Sequence, residues 1–135
     1  MTPAVLATSA CPCGSGKPFA ACCEPYLRGN APAPDAEALM RSRYTAYTLA
    51  DAPYLLATWH ASTRPAALKL AAGEDANAQP QWIGLKVKAH KVEDAAHASV
   101  DFVARYRING RAHKLEELSY FVKEQGRWYY LSAYA

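Results

Sequence analysis

Between residues 35 and 60 the apolar positions recur with a helical period, and beyond residue 82 they alternate with a period of two. Ala36, Met40, Tyr44 and Tyr47 share one helical face. Asp35 stands where an N-cap belongs, and Glu37 suits the positive end of the helix. Asp51 reads as the next cap, with Pro53 tolerated in the first turn. Tyr54 to His60 follows as a second helix that buries Leu55, Leu56 and Trp59, and Thr63 and Pro65 open a third through Leu68. GEDANAQPQ is a polar loop. After it Ile83, Leu85, Val87 and Ala89 alternate with Gly84, Lys86, Lys88 and His90. Val100, Phe102, Ala104, Tyr106 and Ile108 make a second strand, closed by the hairpin pair Asn109-Gly110. Leu118, Tyr120 and Val122 mark a third. Gln125-Gly126 turns the chain into a fourth, Arg127 to Ala133. The pattern predicts helix from 35 to about 70 and a four-stranded antiparallel sheet from 82 to about 134. That is an α+β fold with helices packed on one face of a curved sheet.

All four cysteines fall in CPCGSGKPFAACC, residues 11 to 23. Four thiolates suit a tetrahedral zinc ion. Pro12 stiffens the first ligand arm, and Gly14 and Gly16 permit the positive φ that wraps a chain around a metal. Phe19 to Ala21 reads as a short helical turn delivering Cys22 and Cys23, and Lys17 is placed to offset thiolate charge. Disulfides compete with this reading. One connectivity needs a strained Cys22–Cys23 ring, and the others tie a very short loop. A redox site wants C-x-x-C, which is absent. A phosphate loop wants glycine five residues before Gly16 and Ser or Thr after Lys17, where Cys11 and Pro18 stand. The expected occupant is one zinc ion in a closed structural site, with disulfides or free thiols as the alternative. GNAPAPD, rich in Gly and Pro, reads as a linker. The division is a zinc module over 1–28, a linker over 29–34 and an α+β domain over 35–135. On that division, losing a thiol loosens the module and leaves the domain folded.

Composition narrows the class. Of 135 residues 51% are hydrophobic, enough for a packed core. The net charge is +3 with no basic run, which argues against nucleic acid. No stretch reaches the roughly 20 apolar residues of a membrane span. MTPAVLATSA lacks the basic leader of an export signal, so a cytoplasmic location is expected.

CPCGSGK with a terminal CC resembles the SEC-C motif, a small zinc-binding module. The resemblance implies Cys11, Cys13, Cys22 and Cys23 as ligands, and contact with other proteins or ribosomes. The order of helices then sheet resembles the nuclear transport factor 2-like cone. ALMRSRYTAY, LLATWHASTRP, Trp82 with Gly84-Leu85, FVARY and GRWYY resemble the YchJ family, in which a SEC-C motif precedes such a cone. The likeness runs from about Cys11 to Tyr130. Family members often carry H-E-x-S-x-F on the third strand, whereas Glu116 replaces the histidine here.

Cones of this kind enclose a pocket. The candidates for its polar lining are Arg41, Arg43, Tyr44, His60, Arg64, Arg105, Glu117 and Ser119. Four arginines in this set favour a small anionic ligand. The structural reading pairs Arg43 with Glu117, uses His60 to cap a helix end, and leaves His90, His97 and His113 solvated. No nucleophile stands beside a base at a spacing that fixes geometry, so structural pairing is preferred to catalysis. Two classes of function stay open: a zinc-bearing adaptor that contacts a protein or ligand, and an enzyme or small-molecule sensor that uses the pocket.

Overall fold

The computed structural model describes residues 9–68 and 81–134. A single 3₁₀ turn, Phe19–Ala21, leads into α1, Glu24–Leu27. The long helix α2 spans Ala36–Thr48 and the short α3 spans Ala52–Ala57. Four strands follow, β1 Gln81–Asp94, β2 His97–Ile108, β3 Arg111–Glu124 and β4 Arg127–Tyr134. They form one antiparallel meander in the order β1-β2-β3-β4. Most of the polar loop GEDANAQPQ lies outside the described residues.

The caps stand where the sequence places them. The Asp35 carboxylate accepts from the Ala38 amide at 2.7 Å, and Asp51 accepts from the Tyr54 amide at 3.1 Å. Each satisfies an amide that the first helical turn leaves without a partner. Both hairpin pairs adopt positive φ, 51° and 77° at Asn109-Gly110 and 52° and 78° at Gln125-Gly126. These are the dihedrals of a type I′ turn, whose twist matches that of its strands.

Three expectations are corrected. Residues 63–68 form no helix. The chain instead joins the sheet edge: the Tyr130 amide donates to the Thr58 carbonyl and the His60 amide to the Tyr130 carbonyl, both at 2.8 Å. A segment bridged to a strand cannot continue as a helix, so α3 ends at Ala57 and Trp59 is only half-buried.

Strand β1 does not keep one parity. Register shifts at 82/84, 87/89 and 92/94 interrupt its pairing with β2. A bulge adds a residue and turns the following side chains over. Trp82, Leu85 and Val87 therefore face the core while Ile83 is 49% exposed. The second bulge turns His90 inward, so it is not solvated: its side chain is 19% exposed and its Nδ1 lies 3.8 Å from Glu37 Oε1. His97 and His113 are exposed, as expected.

On β3 the core side belongs to the odd positions. Ser119 and Phe121 are buried, whereas Leu118, Tyr120 and Val122 are half-buried on the opposite face. Parity on a strand with both faces partly covered is not set by hydrophobicity alone.

Helix α2 is enclosed on most sides. Leu39, Met40, Ser42, Arg43, Tyr44, Thr45 and Ala46 are all buried. One face meets the sheet through Met40 and Tyr44, which share a core with Val100, Phe102 and Phe121. Another meets the cysteine loop. Cys11, Cys13, Phe19 and Cys23 belong to the same contiguous core. The linker thus does not hold the two parts at a distance.

Candidate functional site: a four-cysteine centre seated on the long helix, and a cavity in the cone

The cysteine loop is folded by its glycines. Gly14 and Gly16 adopt φ of 78° and 85°. The Cys11 amide donates to the Lys17 carbonyl at 2.9 Å and the Gly14 amide to the Cys11 carbonyl at 3.1 Å, which closes a tight knuckle. The 3₁₀ turn then brings Cys22 and Cys23 back beneath it. A Cβ at Gly14 would stand 3.1 Å from the Leu85 carbonyl oxygen, so the knuckle rests on strand β1.

All four sulfurs lie within 4.8 Å of one another. Cys13 and Cys22 sulfurs are 3.5 Å apart, and those of Cys22 and Cys23 are 3.9 Å apart. Sulfurs held about 2.3 Å from a central zinc occupy tetrahedron corners separated by about 3.8 Å. The donor set and its spacing therefore fit one four-coordinate metal ion. The cysteines are free thiols, far from the roughly 2.05 Å of a disulfide. Cys11, Cys13 and Cys23 are buried and Cys22 is partly exposed.

Helix α2 supplies the surroundings of the sulfurs. Thr45 Oγ1 lies 3.5 Å from the Cys23 sulfur and 3.8 Å from that of Cys11, and it also reaches the Arg41 carbonyl at 3.1 Å. One nitrogen of the Arg41 guanidinium donates to the Cys13 carbonyl at 3.0 Å and lies 4.0 Å from the Cys13 sulfur. Its Nε donates to Glu37 at 3.0 Å. Ser15 Oγ is 3.1 Å from the Cys22 sulfur. The cation that offsets thiolate charge is thus Arg41, 28 residues along the chain from Cys13, while Lys17 is exposed. Without a metal the crowded sulfurs share protons. Hydrogen bonds from Cys11 and Cys23 hold Cys13 far below the ordinary thiol value. Contacts with Cys11 and Cys13 push Cys23 far up. A site that concentrates this much negative charge when deprotonated favours a cation at its centre.

Partners around metal ligands commonly carry a 10–100-fold effect on affinity. Thr45→Val and Arg41→Met are each expected to weaken binding of a metal ion at the four cysteines by about tenfold or more. Competition with a chromophoric chelator measures this; Arg28→Met, on an exposed i,i+4 pair with Glu24, is the control without effect.

The cone holds a separate cavity of about 280 Å³. Its walls are aromatic, with Tyr44 and Tyr47 from α2, Trp59 after α3, and Trp82, Phe102 and Tyr130 from the sheet. Arg43, Glu117 and Ser119 are its charged or hydroxyl-bearing members besides tyrosine. Of the eight sequence candidates, the cavity gathers Arg43, Tyr44, Glu117 and Ser119. Arg41 belongs to the cysteine centre. Arg64 is exposed and donates to the Trp59 carbonyl at 3.0 Å, and Arg105 is exposed on β2. His60 clasps the loop to the sheet. Its Nε2 lies 2.7 Å from Glu124, and its Nδ1 lies 2.6 Å from Ser62 Oγ and accepts from the Ser62 amide at 3.1 Å.

Arg43 and Glu117 form no ion pair among the described residues. Arg43 is buried and donates from one nitrogen to the Leu55 carbonyl and to Thr58 Oγ1, both at 2.7 Å. Its guanidinium lies 4.6 Å from the Tyr130 ring centre and 5.1 Å from that of Trp59. Burial lowers its pKa to about 10. Burial likewise raises the Glu117 carboxyl above its ordinary value. The exposed Glu116 pairs with Lys114 at 3.3 Å on the outside. Sequence reasoning missed Thr45, Trp59, Trp82 and Tyr130 as site residues. The words RSRYTAY, TWH, Trp82-x-Gly84 and GRWYY contained them without showing that they converge.

These features define a nuclear transport factor 2-like α+β domain with a SEC-C cysteine site built into its wall. The family model described as "YchJ, middle NTF2-like domain" matches residues 35–133, and the SEC-C motif matches residues 8–25. The chain belongs to the YchJ family. Similar proteins named UPF0225 occur in Polaromonas naphthalenivorans, 55% identical over 92% of this chain and 96% of the relative, and in Ralstonia nicotianae, 48% identical over 96% and 93%. The solution structure of a SEC-C motif containing protein from Rhodopseudomonas palustris is similar, with TM-score 0.82 and 34% identity over 94% of this chain and 98% of that one. A crystal structure of a sec-c motif containing protein from Psychrobacter arcticus gives 0.77 and 29%, over 93% and 82%. No helix among the described residues is long and apolar enough to cross a membrane.

Proposed function

We propose that the protein is a zinc-stabilised small-molecule-binding domain. One Zn²⁺ on Cys11, Cys13, Cys22 and Cys23 is structural, and the cone cavity holds the ligand. The observation that carries the zinc reading is the four mutually adjacent sulfurs, which fill all positions of a tetrahedral ion and leave none for a reacting water. Four soft donors select zinc over magnesium or calcium, which prefer oxygen. The cavity supports binding rather than catalysis. Among the described residues it contains no nucleophile hydrogen-bonded to a base, and the tight Ser–His–Glu contact at His60 lies outside it.

Protein purified without chelator is expected to contain one equivalent of zinc per chain by elemental analysis. X-ray absorption at the zinc edge should show four sulfur neighbours at about 2.3 Å and no oxygen. A metal-free preparation with native stability, or a zinc shell containing oxygen, refutes the structural-zinc assignment.

A further inference from the structure

The carboxyl of Glu117 has no hydrogen bond and no ion pair among the described residues, although it lines a half-closed cavity with aromatic walls. Half-buried, its oxygens still reach water in the open cavity; a ligand that covers them gains by bringing a donor, because an acceptor then removed from water without a partner is costly. The cavity's other charge, Arg43, already has its donors on Leu55 and Thr58 and its faces toward Trp59 and Tyr130. A ligand therefore meets the field of a cation that is spoken for and a carboxyl that is not. The indole nitrogen of Trp59, another wall residue, is buried without a partner.

Charge decides the class of ligand. A full anion is opposed by Glu117, and three of the four arginines expected to attract one lie elsewhere, Arg41 on the cysteine centre and Arg64 and Arg105 exposed. A full cation is opposed by Arg43, which is buried in the same wall. The rings of Tyr44, Tyr47 and Trp82, with centroids 5.9 Å apart in both tyrosine–tryptophan pairs, offer flat apolar surface. A space of about 280 Å³ accommodates one or two fused rings.

We propose that the cone cavity binds a flat, uncharged aromatic molecule that lies against the rings of Tyr44, Tyr47 and Trp82 and whose N–H or O–H donates a hydrogen bond to Glu117. This rests on the reading of the cavity as a ligand site and names what that site takes.

The test uses indole, 1-methylindole, benzoate and benzylammonium as probes on the zinc-loaded full chain, followed by amide and indole shifts in ¹H–¹⁵N spectra. Indole is expected to move the Trp59 and Trp82 signals and to bind more tightly than either charged probe. 1-Methylindole keeps the shape and removes the donor, so it should bind about tenfold more weakly, the scale of one hydrogen bond to a charged group. In Glu117→Leu that difference should vanish. This variant removes no side-chain hydrogen bond or ion pair among the described residues, and its dispersed spectrum verifies folding. Equal affinity of indole and 1-methylindole for the wild type, or tighter binding of benzoate or benzylammonium, overturns the proposed ligand class and leaves a ligand cavity. Absence of shifts at Trp59 and Trp82 with every probe overturns the ligand-site reading itself, and the class with it.

Discussion

Removing the metal is expected to unfold the cone along with the cysteine loop. Cys11, Cys13 and Cys23 are buried in one core with Met40, Tyr44 and Phe102. Gly14 leans on the Leu85 carbonyl, and Thr45 of α2 sits among the sulfurs. A structural zinc supplies roughly 10–16 kcal/mol of apparent binding energy. A domain is stable by only about 5–15 kcal/mol in total. Four uncoordinated thiols crowded within 4.8 Å cannot replace that contribution, since deprotonated they repel and protonated they make only weak hydrogen bonds. The melting temperature should fall by more than about 15 °C in excess chelator, and Cys13→Ser should do the same without chelator. Amide exchange should lose protection in α2 and at Leu85 together with the loop. Loss confined to residues 9–28, with α2 fully protected, would restore the modular arrangement that the GNAPAPD linker suggests.

The second large effect is expected at Arg43. Its burial is costly, as the lowered pKa of about 10 shows, yet its removal costs more. Arg43→Ala takes the guanidinium donor from Thr58 Oγ1 and from the Leu55 carbonyl, which keeps only the longer 3.3 Å contact from Thr58 Oγ1, empties a buried volume, and withdraws the guanidinium from Trp59 and Tyr130. Lost hydrogen bonds and a cavity together amount to about 3–4 kcal/mol. Arg43→Met refills the volume and no longer buries a charge, so its cost should be about 1–2 kcal/mol. Urea denaturation of both variants, zinc-loaded, measures the pair. Equal losses would mean that the hydrogen bonds, and not packing, dominate. If neither variant loses stability, the guanidinium does not hold α2 to α3.

Much of the fold is legible along the chain because its signals are local. Asp35 and Asp51 cap helices through amides three residues away, and Asn109-Gly110 and Gln125-Gly126 turn hairpins by their own dihedral preferences. The cysteine loop is legible for the same reason: a four-thiol donor set within thirteen residues forms one site whatever surrounds it. The misread elements are those decided by distant partners. Residues 58–60 leave the helix because Tyr130 pairs with them, and His90 turns inward because β1 bulges against β2.

The candidate sites divide along the same line. The sequence by itself determined the four clustered cysteines, the two layers of the fold and the arginine-, tyrosine- and tryptophan-rich words from which the cavity is made. Only the tertiary structure decided that Arg41 and Thr45 serve the cysteines, that Arg43 turns to Leu55 and Thr58 instead of Glu117, and that Glu117 has no hydrogen-bond or ion-pair partner among the described residues. The physical reason lies in α2, a helix buried on most of its circumference. A helix with one wet face announces its inner residues by their period. One enclosed by a sheet, a neighbouring helix and a cysteine loop has polar side chains pointing into three different interiors, and which interior each enters depends on how those pieces pack around it.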